Sequence, residues 1–200
     1  MDGKISEGVK FESQEASRDE RPLACVFGSS SDKIAPAYVT AVESLGERLG
    51  GGGWGLVFGG TPNGLMNAAA NGFHKAGAPI YGVLPKTLAS CRVPHPACTE
   101  YVWTENLSDR KERMIAMSHA FIAVPGGLGT FDEIFQVLAM KQIHEIECPI
   151  VFFNVDGFYD PLCDWLEKLW DEKLLGRSPE ELWLRSDDPE EILEYLNGKI

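Results

Sequence analysis

No run of about 20 apolar residues, the length of a membrane-spanning helix, occurs anywhere in this 200-residue chain. Positive charge is scarce. Lys and Arg number 18 against 30 Asp and Glu, for a formal net charge of -12. With no basic stripe to neutralise a phosphate backbone, nucleic acid is not expected as a partner, and neither is a membrane. The phosphate-binding pattern GxxxxGK[ST] is missing. So is a GxGxxG turn followed by an acid about 20 residues on, which argues against NAD. The five cysteines (Cys25, Cys91, Cys98, Cys148, Cys163) are odd in number and show no CxxC spacing. They read as reduced thiols rather than a disulfide framework. The four histidines (His74, His95, His119, His144) are scattered without ligand spacing, so no metal is expected and they read as structural or surface groups. The opening residues carry no secretory leader pattern, and a cytoplasmic location is expected.

What is present is a regular alternation of short apolar runs and longer amphipathic stretches. Residues 1–21 are polar and aperiodic and read as a flexible tail. Residues 22–200 then read as one domain. Strands are expected at Leu23–Phe27, Leu56–Phe58, Ile80–Leu84, Ala120–Val124 and Pro149–Phe153, with a short edge strand at Tyr101–Trp103. Helices are expected between them. One starts near Pro36 and carries Tyr38, Val42, Leu45 and Leu49 on one face. Another opens with Thr61 as its cap and Pro62 as its first residue. Further helices cover Leu107–Ala116, Leu162–Leu174 and a C-terminal segment capped within Ser186–Asp188. The stripe Trp165, Leu169, Trp170 reads as core or interface packing. This alternation predicts an α/β fold, a Rossmann-like, doubly wound parallel sheet in a single domain.

The chain centres on Ala120–Gln136, AFIAVPGGLGTFDEIFQ. A buried strand ends at Pro125. Gly126, Gly127 and Gly129 turn the chain. Thr130 reads as a helix N-cap, with Phe131, Ile134, Phe135 and Leu138 as the apolar stripe and Asp132 and Glu133 in the first turn. A strand, a glycine loop and a helix N-terminus together favour an anion, because free N–H groups point out and no Cβ blocks its approach. Two other small-residue loops follow strands, at Gly28–Asp32 and Gly59–Gly64. In a parallel sheet all three gather at the carboxyl edge, where ligands bind.

These residues resemble the LOG (lonely guy) family, the cytokinin riboside 5'-monophosphate phosphoribohydrolases, whose members have often been labelled lysine decarboxylases. The carrying motif is PGGxGTxxE, present as Pro125 to Glu133. An Arg-Lys pair one helix earlier is matched by Arg110-Lys111. Weaker matches are Val26 to Ser31, Val57 to Gly60 with Gly64 to Met66, and Asn154 to Tyr159. The resemblance spans about residues 23–175 and implies a homodimer that hydrolyses the N-glycosidic bond of an adenosine 5'-monophosphate-type nucleotide, releasing free base and ribose 5-phosphate. It implies catalytic roles for Arg110 and Glu133. It implies substrate binding by Gly28, Ser29, Gly59, Gly60, Arg110, Lys111, Gly126, Gly127, Leu128, Gly129, Thr130 and Asp132. No cofactor is implied. Departures from the family pattern are Ser108 within Leu107-Ser108-Asp109-Arg110-Lys111, Thr61 at a usual glycine, Asn67 after Leu65-Met66, and Arg92 where the family places a substrate-contacting Glu. The last predicts an altered base preference.

Each chemical role has a structural competitor. Spacing alone makes Thr130-x-x-Glu133 a capping box. Arg110 and Lys111 suit a solvated helix face, and each glycine loop suits a plain turn. The alternative function is a nucleotide or cofactor carrier without catalysis on the same scaffold. Lysine decarboxylation would need pyridoxal phosphate on a Schiff-base lysine, and no feature of the sequence supports one.

Overall fold

The computed structural model describes residues 20–88 and 93–200. The tail expected over 1–21 therefore lies outside the described residues except for its last two positions, and Cys91 and Arg92 lie outside them as well. Seven strands form one sheet: β1 Leu23–Phe27, β2 Gly55–Phe58, β3 Ile80–Pro85, β4 Glu100–Thr104, β5 Ala120–Ala123, β6 Ile150–Phe153 and β7 Leu184–Ser186. All pairings are parallel, in the order β4-β3-β2-β1-β5-β6-β7. The chain starts mid-sheet, builds outward to β4, returns beside β1 as β5 and builds the other way. The winding direction reverses between β1 and β5, which opens a crevice at their carboxyl ends.

The helices are α1 Pro36–Gly51, α2 Gly64–Lys75, α3 Leu107–Met117, α4 Leu128–Gln142, α5 Asp160–Asp171, α6 Pro179–Leu182 and α7 Pro189–Asn197. They cover both faces of the sheet, so its central strands are continuous apolar runs rather than alternating ones. Ala24 and Val26 face a core shared with α1, α2 and α7, through Val42, Leu45, Leu49, Phe73 and Ile192. Cys25 and Phe27 face the opposite core, with Met114, Ile134, Val137 and Leu166 of α3, α4 and α5. Each buried Val, Leu, Ile or Phe contributes about 1.5–3 kcal/mol, which fixes α3 and α4 side by side above the same strands. The cysteines Cys25, Cys98, Cys148 and Cys163 are free, as expected.

Two expectations are corrected. The helix placed at Thr61-Pro62 begins at Gly64 with Asn63 as its cap residue. Thr61 is instead buried. The helix placed behind Thr130 begins earlier, at Leu128, with Gly127 as its cap residue. Of the two roles expected for the Trp165 stripe, core or interface packing, Trp165 at 52% exposure does not take the first, while Leu169 packs against the core. Two elements, α6 and β7, went unread. β7 has three residues, and only its pairing with β6 makes it a strand.

Candidate active site

The three expected loops meet at the carboxyl edge of β1, β2 and β5. Ser29 N–H donates to Pro125 O at 3.2 Å, and Leu65 N–H donates to Ser29 O at 2.8 Å, which ties the loops together. Gly28 lies against Val124, with no room for a Cβ. The Ser29 hydroxyl accepts from Ser31 N–H at 3.2 Å. Loop one also closes α2. The Asp32 carboxylate accepts from Gly64 N–H at 3.0 Å and from the Asn63 amide at 3.2 Å. A carboxylate at a helix N-terminus satisfies the local donors and the helix dipole, so the anion position at α2 is already filled from within.

The start of α4 is different. Gly127 is extended, and among the described residues no side chain caps the helix. Gly127, Leu128 and Gly129 are solvent-exposed, whereas Thr130 is buried at 3%. Thr130 sits within the first turn and folds back over Gly126, where an added Cβ would collide with its hydroxyl. The capping box read from spacing therefore does not form. A Ser-x-x-Glu box does occur at α6, where Ser178 N–H donates to Glu181 at 3.0 Å. Asp132 and Glu133 fall in the second turn of α4, where no N-cap draws them away.

Arg110 reaches the site from α3. The Asn106 side chain caps that helix by accepting from Ser108 N–H at 2.8 Å and Asp109 N–H at 3.0 Å. Arg110 Nε donates to Val83 O at 3.1 Å. One fork nitrogen lies over Gly59, where a Cβ would collide with it. The other stands 3.9 Å from Glu133 Oε1, with the two side chains 16% and 14% exposed. This is ion pairing at long range, not a bidentate clasp. Beside it Lys111 Nζ meets Asp132 at 2.8 Å. Asp132 is 64% exposed, so that pair contributes no more than about 1 kcal/mol. Gly60 has φ 75° and packs against Leu84.

Burial raises the Glu133 carboxyl above its ordinary value, Arg110 and Lys111 pull it back, and Asp132 adds to the rise. The Cys25 thiol beneath is pushed up, first by burial and then by the Glu133 charge. A carboxylate held in low dielectric, with a cation near but not clasping it, is poised to meet a second positive charge. His95 is buried and its side chain bonds Asn67 at 3.0 Å. Its backbone N–H donates to Gly60 O at 2.8 Å. Burial lowers its pKa, so it is a neutral structural histidine, in line with the expectation. No group of three or more His, Cys, Asp or Glu suited to a metal is found among the described residues.

The structure thus brings together Gly28, Ser29, Gly59, Arg110, Lys111, Gly126, Gly127, Leu128, Gly129, Thr130, Asp132 and Glu133, with Gly60 one layer behind. Sequence reasoning missed Asp32, the plug of α2, and the Val83 carbonyl that aims Arg110. An Asp in a serine loop just after a strand was a usable signal for the first. A backbone carbonyl leaves none.

Residues 66–196 match a family model described as "Possible lysine decarboxylase". The chain is 34% identical over 172 residues to the probable cytokinin riboside 5'-monophosphate phosphoribohydrolase LOGL2 of Oryza sativa subsp. japonica, covering 86% of this chain and 70% of that one. It is 31% identical over 188 residues to the cytokinin riboside 5'-monophosphate phosphoribohydrolase LOG3 of Arabidopsis thaliana, covering 94% and 86%. Among solved structures, the molybdenum cofactor carrier protein of Chlamydomonas reinhardtii is alike in fold, with a TM-score of 0.71 at 22% identity over 90% of this chain and 98% of that one. The molybdenum cofactor binding protein of Rippkaea orientalis is alike in fold too, at a TM-score of 0.65 and 21% identity over 92% and 98%.

Proposed function

The chain belongs to the LOG family, and from that premise we propose that it is a nucleoside 5'-monophosphate phosphoribohydrolase acting on adenosine-type nucleotides. The products are free base, adenine or an N6-substituted adenine, and ribose 5-phosphate. The observation that carries the proposal is the facing pair Arg110 and Glu133, half-enclosed beside a helix start that no side chain caps among the described residues. The 5'-phosphate sits on the open N–H groups of Gly127 to Thr130, where the α4 dipole favours a dianion. That remote contact holds the ribose in place for reaction. Loss of the base builds positive charge on the ribosyl carbon. The Glu133 carboxylate stabilises that charge and orients or deprotonates the attacking water. Arg110 favours the ionised form of the carboxylate against its burial and binds the anionic substrate. Gly59 serves by giving Arg110 its seat. The working unit is proposed to be a homodimer, as in the family.

The test is incubation with adenosine 5'-monophosphate and its N6-isopentenyl form, with both ribosides as controls, and chromatography of the released base. Base is expected from the monophosphates alone. Equal release from ribosides would remove the phosphate role. Nucleotide that binds and is recovered intact would overturn the hydrolase in favour of a carrier.

A further inference from the structure

A cavity of about 240 Å³ adjoins the glycine loop on its α1 side, in the crevice between β1 and β5. Its walls include Ser29, Ala35, Tyr38, Leu65, Gly126 and Phe158. Arg110 and Glu133 do not line it. The Tyr38 and Phe158 rings meet edge to face, 6.1 Å apart at 79°. Among the described residues no charged side chain lines the walls, so the cavity does not suit a second phosphate. Its size and aromatic wall suit one flat, uncharged ring. Gly126 and Ser29 belong both to this cavity and to the phosphate loop. A phosphate seated on that loop therefore has the catalytic pair to one side and the cavity to the other.

We propose that this cavity receives the second ester group of a nucleoside 5'-phosphodiester, a flat apolar ring on the phosphate, so that the ligand range of the site extends beyond monophosphates. The inference rests on the reading of the loop as a 5'-phosphate site. The glycosidic bond stays beside Glu133, because the ribose ester keeps its place and only the free phosphate oxygen on the cavity side carries the added group.

The experiment compares adenosine 5'-monophosphate with its phenyl phosphodiester. Binding is measured by titration calorimetry and adenine release by chromatography. The proteins are the full chain, Tyr38→Ala, which removes the aromatic wall, and Ala35→Trp, which fills the cavity from an exposed position. The diester is expected to bind within about 5-fold of the monophosphate. Each variant is expected to weaken the diester by at least about 10-fold and the monophosphate by no more than about 2-fold, the scale of losing one ring-stacking contact. If Tyr38→Ala melts early, Ala35→Trp decides. A monophosphate that binds while the diester does not overturns this inference alone, as do variants that weaken both ligands equally or neither. A diester that binds through the cavity with no base released from either ligand leaves the inference standing and overturns the hydrolase. Binding of neither overturns both.

Discussion

Two helices of this molecule start behind a glycine loop at the same sheet edge, and they use their glycines differently. At α2, the protein itself occupies the space each missing Cβ leaves: the Arg110 fork over Gly59, the Leu84 side chain against Gly60, and the Ser29–Ser31 backbone against Gly64. The helix N-terminus is then filled by Asp32. At α4, Gly126 makes room for Thr130, but a Cβ on Gly127 or Gly129 would meet nothing within 4 Å. Gly129 sits in the first turn of the helix, and glycine is a poorer helix former than alanine. Among the described residues nothing fills the space a side chain would take there, and no side chain caps the helix start. One loop is closed by the chain for its own stability. The other is kept bare, which is what a ligand site requires.

The strongest way to break the comparison is at the charge beside the bare loop. Glu133→Gln keeps the side-chain shape and removes the carboxylate. Base release is expected to fall by at least about 100-fold, with nucleotide binding and the far-UV spectrum retained. Near-normal turnover would reduce Glu133 to a structural residue and α4 to an ordinary helix.

The next test takes the glycines one at a time. Gly129→Ala is expected to hold or raise the melting temperature while weakening adenosine 5'-monophosphate about 10-fold, because the new methyl meets only the ligand. Gly126→Ala is expected to lower both stability and binding, since its Cβ collides with Thr130. Calorimetric titration beside thermal melts separates the two. If Gly129→Ala binds the nucleotide normally, the bare loop does not hold the phosphate.

The converse experiment opens the closed loop. Asp32→Ala leaves Gly64 N–H without its carboxylate and is expected to cost about 1 kcal/mol, or about 2–4 °C in melting temperature for a chain of this size. Base release should change far less than in Glu133→Gln. A loss of turnover as large as that of Glu133→Gln would mean that Asp32 belongs to the reaction rather than to the fold.

Local signals made the larger features readable. The apolar runs at β1, β2, β3, β5 and β6 sit between turn residues. The nine residues from Pro125 to Glu133 carry both the loop and the carboxylate proposed as catalytic. What could not be read was decided at a distance. Thr130 has the chemistry of an N-cap, yet it lies within the first turn because Gly126 leaves a space that its hydroxyl fills. Thr61-Pro62 has the sequence of a helix start, but the donor that needs capping is Gly64 N–H, and its partner comes from loop one. Arg110 could be named from its motif, while its aim depends on the Val83 carbonyl and the bare face of Gly59. The Arg92 expectation falls on residues outside those described, so base preference is left to substrate comparison with Arg92→Glu.

The smallest expected effect concerns stability, and its sign follows from Glu133. Its carboxyl is raised in the folded protein, chiefly by burial. An acid whose folded pKa lies above its unfolded one binds its proton more tightly when folded. Below the ordinary carboxylate range it is protonated in both states and contributes no difference. As pH climbs through the unfolded and then the folded value, ionisation costs the folded state, and the cost is complete above both. Glutamine has no such titration. The melting temperature of Glu133→Gln minus that of the unsubstituted protein should therefore rise with pH above the ordinary carboxylate range. The Arg110 guanidinium attracts only the ionised carboxylate, so its pull is already part of the folded value and lessens the slope without reversing it. Thermal melts of both proteins from pH 4 to pH 8 measure that slope. A difference that falls with pH would mean that Arg110 outweighs burial, so that the carboxylate stabilises the resting fold, and the contrast between a loop kept bare and one closed for stability would no longer extend to the charge beside it.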